Sequence, residues 1–249
     1  MKTIHSTRAP IRSAHTLSRQ SGLVYAGLIL FCLLTLFVGQ YLESRNVANL
    51  RLFGPDGVGL VALGFVGIWL APRTGFADGF DWRVGHAQRF VGPFVVGLVF
   101  AVADVAVYKL VLHPEPVTSL TPFMQPFPYS VLLFGSGAMY VECLYRFLPL
   151  PLGMALVGFV WPTYGRSERV FWVLAGLTSL VEPLEQLITD SPALIAYSFG
   201  TGYAMNLLQA VFFRHYGFLA ALFVRLGHYA LWHIGFGLWV EAQTGFVLF

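Results

Sequence analysis

Long apolar runs follow one another along almost the whole chain, and they constrain its fold more than any other feature. A membrane-spanning helix requires about 20 mostly apolar residues. The runs predict helices at 22–42, 55–71, 90–112, 128–148, 150–162, 170–189, 193–214 and 217–240. The segment 150–162 is short and bracketed by prolines, so we expect a half-helix packed against protein there. The predicted fold class is all-α, a polytopic membrane helical bundle of about eight transmembrane helices.

Composition supports a membrane protein and excludes other classes. Hydrophobic residues make up 57% of the chain and charged residues 11%, whereas about a quarter of an ordinary soluble domain is charged. The net charge is +3, but the basic residues are scattered through short loops, which does not favour nucleic acid as a partner. Cys32 and Cys143 both lie in apolar runs, so we expect no structural disulfide.

The predicted organisation is a basic cytosolic tail at 1–21 followed by one transmembrane domain at 22–249. Four basic residues and no acidic residue occur in the tail: Lys2, Arg8, Arg12 and Arg19. A mitochondrial transit peptide remains an alternative for this stretch. The 72–89 loop carries three arginines and the 113–127 loop carries no lysine or arginine. This asymmetry favours a cytosolic N-terminus and a cytosolic 72–89 loop.

Polar residues inside the apolar runs indicate a functional or structural centre. Each charge at the middle of a membrane helix costs about 2.5–3.5 kcal/mol, so we expect these residues to converge and satisfy one another. They are Asp104, Lys109, Glu142, Arg146, Glu182, Glu185, Gln186, Asn206, Gln209, Arg225, His228 and His233. Glu142 and Arg146 are four residues apart and can pair on one helix face. Such a pair can also serve only to fix helix register.

Two of these polar positions also have a purely structural interpretation. Asp104 and Lys109 are five residues apart, and a lysine near a helix end extends towards the interface. We therefore expect a structural role for both residues. His228 is open to interpretation as a core histidine that bonds to a backbone carbonyl.

Three segments resemble the CPBP family of intramembrane proteases, which includes type 2 CAAX prenyl endopeptidases and bacteriocin-processing or immunity proteins. They are VECLYR at 141–146, LTSLVEPLEQ at 177–186 and YGFLAALFVRLGHYALWH at 216–233. The family motifs are EExxxR, FxxxH and HxxxN, carried on a bundle of about eight helices. The resemblance covers a core at 127–240.

The resemblance implies a site at Glu142, Arg146, Glu182, Arg225 and His228. In the family a glutamate activates water, while histidine and asparagine stabilise the oxyanion. Each motif departs from that pattern in this chain. The departures are Val141 for the first glutamate, Thr178 and Glu182 for the Phe and His of the second motif, and Arg225 and Tyr229 for the His and Asn of the third.

The departures predict a divergent and catalytically silent homologue with a buried polar cavity. Two alternatives remain: an active intramembrane endopeptidase using Glu142 in a rearranged site, or a non-enzymatic scaffold or partner-binding protein. A metal site built from Glu142, Glu182, Glu185 and His228 is less favoured, because no Glu-x-x-His pair occurs. No cofactor is expected.

If Glu182 and Arg225 replace histidines of the family's site, we expect them to form a salt bridge. Exchanging the two charges is then expected to restore much of the stability lost in either single variant. The expected partners are the lipid bilayer and a transmembrane peptide, a prenylated peptide or a partner membrane helix. The expected location is the bacterial cytoplasmic (inner) membrane, and the distribution of basic residues favours an N-terminus in the cytosol.

Overall fold

A computed structural model describes residues 16–47, 50–108, 125, 127–186 and 191–239, and within these ranges the chain is helical with no strand. The α-helices are α1 Arg19–Ser44, α2 Pro55–Leu70, α3 Gly92–Ala106, α4 Tyr129–Glu142, α5 Pro149–Val160, α6 Glu168–Glu185, α7 Pro192–Tyr216 and α8 Phe218–Tyr229. Short 3₁₀ turns occupy Ala71–Thr74 and Pro162–Tyr164. π turns occupy Ala87–Val91, Cys143–Phe147 and Ala230–Gly235.

The start of α1 is held by side-chain hydrogen bonds. The Ser18 hydroxyl accepts from the Ser21 backbone N–H at 3.1 Å, which caps the first turn. Ser18 and Ser21 also donate to Asp78 at 2.7 and 2.8 Å. The end of the expected basic tail is therefore fixed against the loop after α2, while residues 1–15 of that tail lie outside the described residues.

The fourth and fifth predicted helices form one continuous helical run, Tyr129–Val160. Pro149 has no N–H and cannot continue the regular α-helical hydrogen-bond ladder, and the helix widens into a π turn just before it. The segments 128–148 and 150–162 are therefore joined, and α5 is the C-terminal part of that run. The π turn also carries Arg146, so the irregularity lies at the predicted site.

Four helical runs among the described residues are long and apolar enough to cross a membrane. They are Arg19–Ser44, Pro55–Thr74, Ala87–Ala106 and Tyr129–Val160. On α1, Leu23, Leu30 and Phe37 expose more than 60% of their surface, as lipid-facing residues do. The helices α6, α7 and α8 were also expected to span, but they carry the polar residues of the buried site and do not meet the same criterion within the described ranges.

The helix α8 lies at the centre of the bundle and packs against α3, α4 and α7. Its contact with α3 depends on Gly97 and Gly227, where the backbones approach each other directly. A Cβ atom on Gly97 would overlap the Val224 carbonyl oxygen, and one on Gly227 would overlap that of Phe94. Close packing of small residues is the usual way membrane helices associate.

Candidate functional site

A buried cluster of charged and amide side chains connects four helical segments. We call it the charge cluster, and its members are Glu142, Arg146, Glu182, Asn206, Gln209 and Arg225. They come from α4 and its π turn, α6, α7 and α8. No member exposes more than 6% of its surface. Two carboxylates face two guanidinium groups, so the cluster is formally neutral.

Glu142 accepts hydrogen bonds on both carboxylate oxygens. Arg146 donates from Nε to Oε2 at 2.7 Å and from Nη2 to Oε1 at 2.9 Å. Gln209 Nε2 and Arg225 Nε also donate to Oε1, at 2.8 and 3.3 Å. Since Glu142 is 0% exposed, its carboxylate has no surface open to solvent. The expected pairing with Arg146 is confirmed.

Glu182 and Arg225 form the second ion pair of the cluster, which confirms the expected salt bridge. Arg225 donates from Nη1 to Oε1 and from Nη2 to Oε2 of Glu182, both at 2.6 Å. Arg146 Nη2 lies 3.5 Å from Glu182 Oε2. Because Arg225 also contacts Glu142, each arginine contacts both carboxylates, and the four charges form a closed ring.

Two amide side chains on α7 complete the hydrogen bonds of the ring. Asn206 Oδ1 accepts from Arg146 Nη1 at 2.7 Å and from Arg225 Nη2 at 3.0 Å. Gln209 Oε1 accepts from Arg225 Nη2 at 3.2 Å. The two residues are three positions apart and therefore lie on one helix face. A buried ion pair is tolerated when its remaining donors and acceptors are satisfied, and these amides provide that.

His228 lies outside the charge cluster and pairs with Asp104 of α3. The distance from His228 Nε2 to Asp104 Oδ2 is 2.7 Å, and the Tyr197 hydroxyl donates to Asp104 Oδ1 at 2.9 Å. The expected bond from His228 to a backbone carbonyl is not found at Nε2, because this nitrogen faces the Asp104 carboxylate. Lys109, the residue considered together with Asp104, lies outside the described residues.

A cavity of about 350 Å³ is lined by residues of both groups. They are Glu182, Asn206 and Arg225 of the charge cluster, together with Asp104 and His228. A cavity therefore lies beside the ion pairs, and the cluster side chains at its wall are almost fully buried.

The remaining motif positions, Val141, Thr178 and Tyr229, carry no carboxylate or imidazole. Val141 lines a second cavity of about 530 Å³. The Thr178 hydroxyl donates to the Ala175 carbonyl of its own helix at 3.4 Å. The Tyr229 ring lies 5.7 Å from Arg225 Cζ and lines both cavities. At these motif positions the side chains make packing contacts and a hydrogen bond within their own helix.

The structure does not bring together the four residues considered for a metal site. Glu142 and Glu182 accept from arginines, whereas Glu185 accepts from the Tyr145 hydroxyl at 2.5 Å. His228 pairs with Asp104 instead. Within the ranges that the structure covers, no group of three or more His, Cys, Asp or Glu side chains is placed to hold a metal ion.

Comparisons with known proteins identified no relative of this chain. A scan against models of protein families, a search of curated proteins and a search of solved structures each found no match. The resemblance therefore depends on the three motif segments alone, and the function has to be inferred from the geometry of the charge cluster and the cavity.

Of the five predicted site residues, Glu142, Arg146, Glu182 and Arg225 converge, and only His228 lies apart. The two α7 amides, Asn206 and Gln209, were among the polar residues expected to converge, but they were not among the five predicted site residues. It did not pair Asp104 with His228, and it missed Tyr197. Pairing between α3 and α8 depends on tertiary packing, and a tyrosine in an apolar run gives no sequence signal.

Proposed function

We propose that this protein is a divergent, catalytically silent relative of the CPBP intramembrane proteases. In this proposal it uses the polar cavity of its bundle for binding and does not cleave peptides. The observation that carries the proposal is the state of Glu142, which is 0% exposed and accepts hydrogen bonds on both carboxylate oxygens. A general base must lie within hydrogen-bond reach of the water that it activates.

The residues around Glu142 also argue against water activation. Its donors are two arginines and one amide, and arginine stays protonated and cannot take part in proton transfer at ordinary pH. Releasing the carboxylate would leave buried guanidinium groups without a partner, which is costly. The ring of charges is therefore best understood as a structural connection between helices.

The alternative of an active endopeptidase has no supporting observation in the geometry. In a rearranged site the histidines on the cavity wall are His228 and His233, but His228 Nε2 faces Asp104 and the Nδ1 atoms of both residues are buried. The cavity hydroxyls of Ser198 and Thr201 donate to carbonyls of their own helix, at 3.3 and 2.8 Å. No nucleophile on the cavity wall is paired with a base in these contacts.

The proposal includes the full membrane topology. Four apolar helical runs meet the length and hydropathy of a span, and we infer that α6, α7 and α8 are also embedded, with their polar faces turned towards the cavity. The basic tail and the arginines of the 72–89 loop favour a cytosolic N-terminus. The resemblance favours the bacterial cytoplasmic membrane, where the partner is a prenylated or transmembrane peptide or another membrane helix.

A proteolysis assay tests this proposal directly. The purified full-length protein, reconstituted in liposomes, is incubated with fluorogenic prenylated and transmembrane peptides beside an active member of the family. We expect no cleavage above that of empty liposomes. Cleavage that disappears in Glu142→Gln would overturn the proposal, and cleavage that disappears only in His228→Ala would overturn it as well and assign the activity to His228.

A further inference from the structure

Asp104 differs from the carboxylates of the charge cluster in both its partners and its exposure. It accepts from the Tyr197 hydroxyl and faces the His228 imidazole, and no arginine or lysine of the described residues bonds to it. Its side chain is 15% exposed, whereas that of Glu142 is fully buried. An ionised carboxylate has about four acceptor sites, so Asp104 retains capacity for a further donor.

Aromatic rings form much of the cavity wall near this carboxylate. Phe100, Tyr108, Tyr229 and Trp232 all line the cavity, and the ring centroids of Tyr108 and Trp232 lie 5.3 Å apart. A carboxylate beside aromatic faces is an arrangement that attracts ammonium groups, since the ring faces are electronegative. The volume of about 350 Å³ is near the lower end of small-molecule sites, which span roughly 300–1,000 Å³.

His228 is the polar neighbour of Asp104 on the cavity wall. Its Nε2 is engaged with Asp104, while its Nδ1 is buried and has no hydrogen-bond partner among the described residues. The residue as a whole is 7% exposed and lines the cavity. The contact with His228 occupies one acceptor site of Asp104 and leaves others for a donor in the cavity.

We propose that this cavity binds a small amphipathic ligand with an ammonium head group, held by Asp104 and the rings of Tyr108 and Trp232. The inference rests on the proposed function, because it gives the cavity a binding role. Arg225 in the same wall does not favour an anion, since Glu182 and Glu142 already neutralise it. The head group donates hydrogen bonds to Asp104, and the apolar part packs on the rings.

Three probes with one scaffold and different charges test the head-group preference. Isothermal titration calorimetry on the full-length protein in a neutral maltoside detergent compares 3-phenylpropylammonium, 3-phenylpropanol and 3-phenylpropanoate. We expect the ammonium probe to bind at least about tenfold more tightly than the alcohol, as a hydrogen bond to a charged group implies, and the anion to bind most weakly. Equal binding of the three probes, or preference for the anion, would overturn the inference.

Variants then assign the binding to the carboxylate. Asp104→Asn should weaken binding of the ammonium probe at least about tenfold and leave binding of the alcohol nearly unchanged. Tyr197→Phe removes one hydrogen bond to Asp104 but keeps its charge, so the ammonium preference should persist. Asp56→Asn is the matched control, because Asp56 lines the second cavity. Unchanged ammonium binding in a folded Asp104→Asn protein would contradict the proposal.

The outcome is separable from that of the proteolysis assay. If the ammonium probe fails to bind and peptides remain uncut, only the ligand class is wrong. If peptides are cut in a Glu142-dependent manner, the proposed function is wrong whatever the probe does. Thermal unfolding of each variant without probe shows whether a lost signal reflects loss of fold, and the charge preference of the unmodified protein does not depend on any variant.

Discussion

Arg225 and Glu182 face each other through two parallel hydrogen bonds, Nη1 to Oε1 and Nη2 to Oε2, each 2.6 Å long. The planar guanidinium matches the carboxylate in this two-point geometry, which lysine cannot reproduce. The pair connects α6 to α8. Further contacts to Arg146 and Glu142 make it part of the charge ring.

Replacing both partners of this pair should be less harmful than replacing one. Glu182→Met or Arg225→Met alone leaves a buried charge without its main partner, and each should lower the free energy of unfolding by about 3–5 kcal/mol. The double variant removes both charges and keeps the ring neutral, so its loss should be smaller than either single loss. Thermal unfolding in detergent gives the comparison, and a double variant as unstable as the sum of the two would show that the charges do not interact.

Exchanging the two charges should fail to restore stability, although the motif alignment alone predicts rescue. With Glu182→Arg and Arg225→Glu, a new glutamate faces Glu142 across a contact now at 3.3 Å. A new arginine likewise faces Arg146 across a contact now at 3.5 Å. Both become like-charge contacts in a buried site. An exchanged protein with nearly native unfolding temperature would show that the bridge is independent of the ring.

Stability should decrease in acid through Asp81, which lies in the loop between α2 and α3. Arg83 donates to it from Nε and from its backbone N–H, both at 2.9 Å, and these bonds hold the pKa of Asp81 below its ordinary value. The ionised carboxylate therefore stabilises the folded state above about pH 4, and this contribution is lost as pH falls through the lowered pKa.

The size of this effect is limited because Arg83 is 59% exposed. We expect Asp81→Asn to cost no more than about 1 kcal/mol at neutral pH, with the difference from the unmodified protein shrinking below about pH 4. Unfolding temperatures from pH 3 to pH 8 measure it. Asp56→Asn is the control, because Asp56 is exposed and forms no ion pair among the described contacts. If the unfolding temperature of Asp56→Asn depends on pH in the same way as that of Asp81→Asn, the effect comes from net charge and not from the Asp81–Arg83 pair.

The sequence predicted the helical class from its apolar runs, and it predicted the convergence of four site residues from the cost of buried charges and from the motif resemblance. Apolar runs specify helices, and Glu142 with Arg146 share a face by spacing alone. The continuous run through Pro149 and the pairing of Asp104 with His228 were not predictable. The first depends on a π turn that only the folded backbone shows. The second depends on how closely α3 approaches α8.

That close approach gives a prediction about Gly97 and Gly227. An alanine at either position places a Cβ against a backbone carbonyl of the facing helix, which cannot move as a flexible side chain does. Overpacking of this kind typically lowers the free energy of unfolding by about 1–3 kcal/mol. We expect the loss for both alanine variants near the upper end of that range, because the overlap is with backbone. Gly59→Ala is the control, since a Cβ there meets nothing within 4 Å and alanine favours the helix.

Separating α3 from α8 should also disturb the Asp104–His228 pair. Gly227→Ala is therefore expected to weaken binding of 3-phenylpropylammonium as well as to lower the unfolding temperature. Gly59→Ala should leave both unchanged or slightly raise the unfolding temperature. Gly227→Ala with native stability would mean that the two helices do not pack through this glycine.

Arg146 provides the most direct test of whether the charge cluster holds the bundle together. Arg146→Ala removes the two donors to Glu142 and the donor to Asn206, and should lower the free energy of unfolding by about 3–5 kcal/mol. Arg146→Lys keeps the charge but lacks the planar fork, so its loss should be intermediate. Arg45→Ala removes an exposed arginine stacked on Tyr41 and should change stability by less than about 1 kcal/mol.

Unfolding in detergent, followed by circular dichroism, ranks the three variants. A neutral Arg146→Ala would mean that Glu142 is satisfied by Gln209 and Arg225 alone, and the carboxylate would then have an oxygen free to bind water.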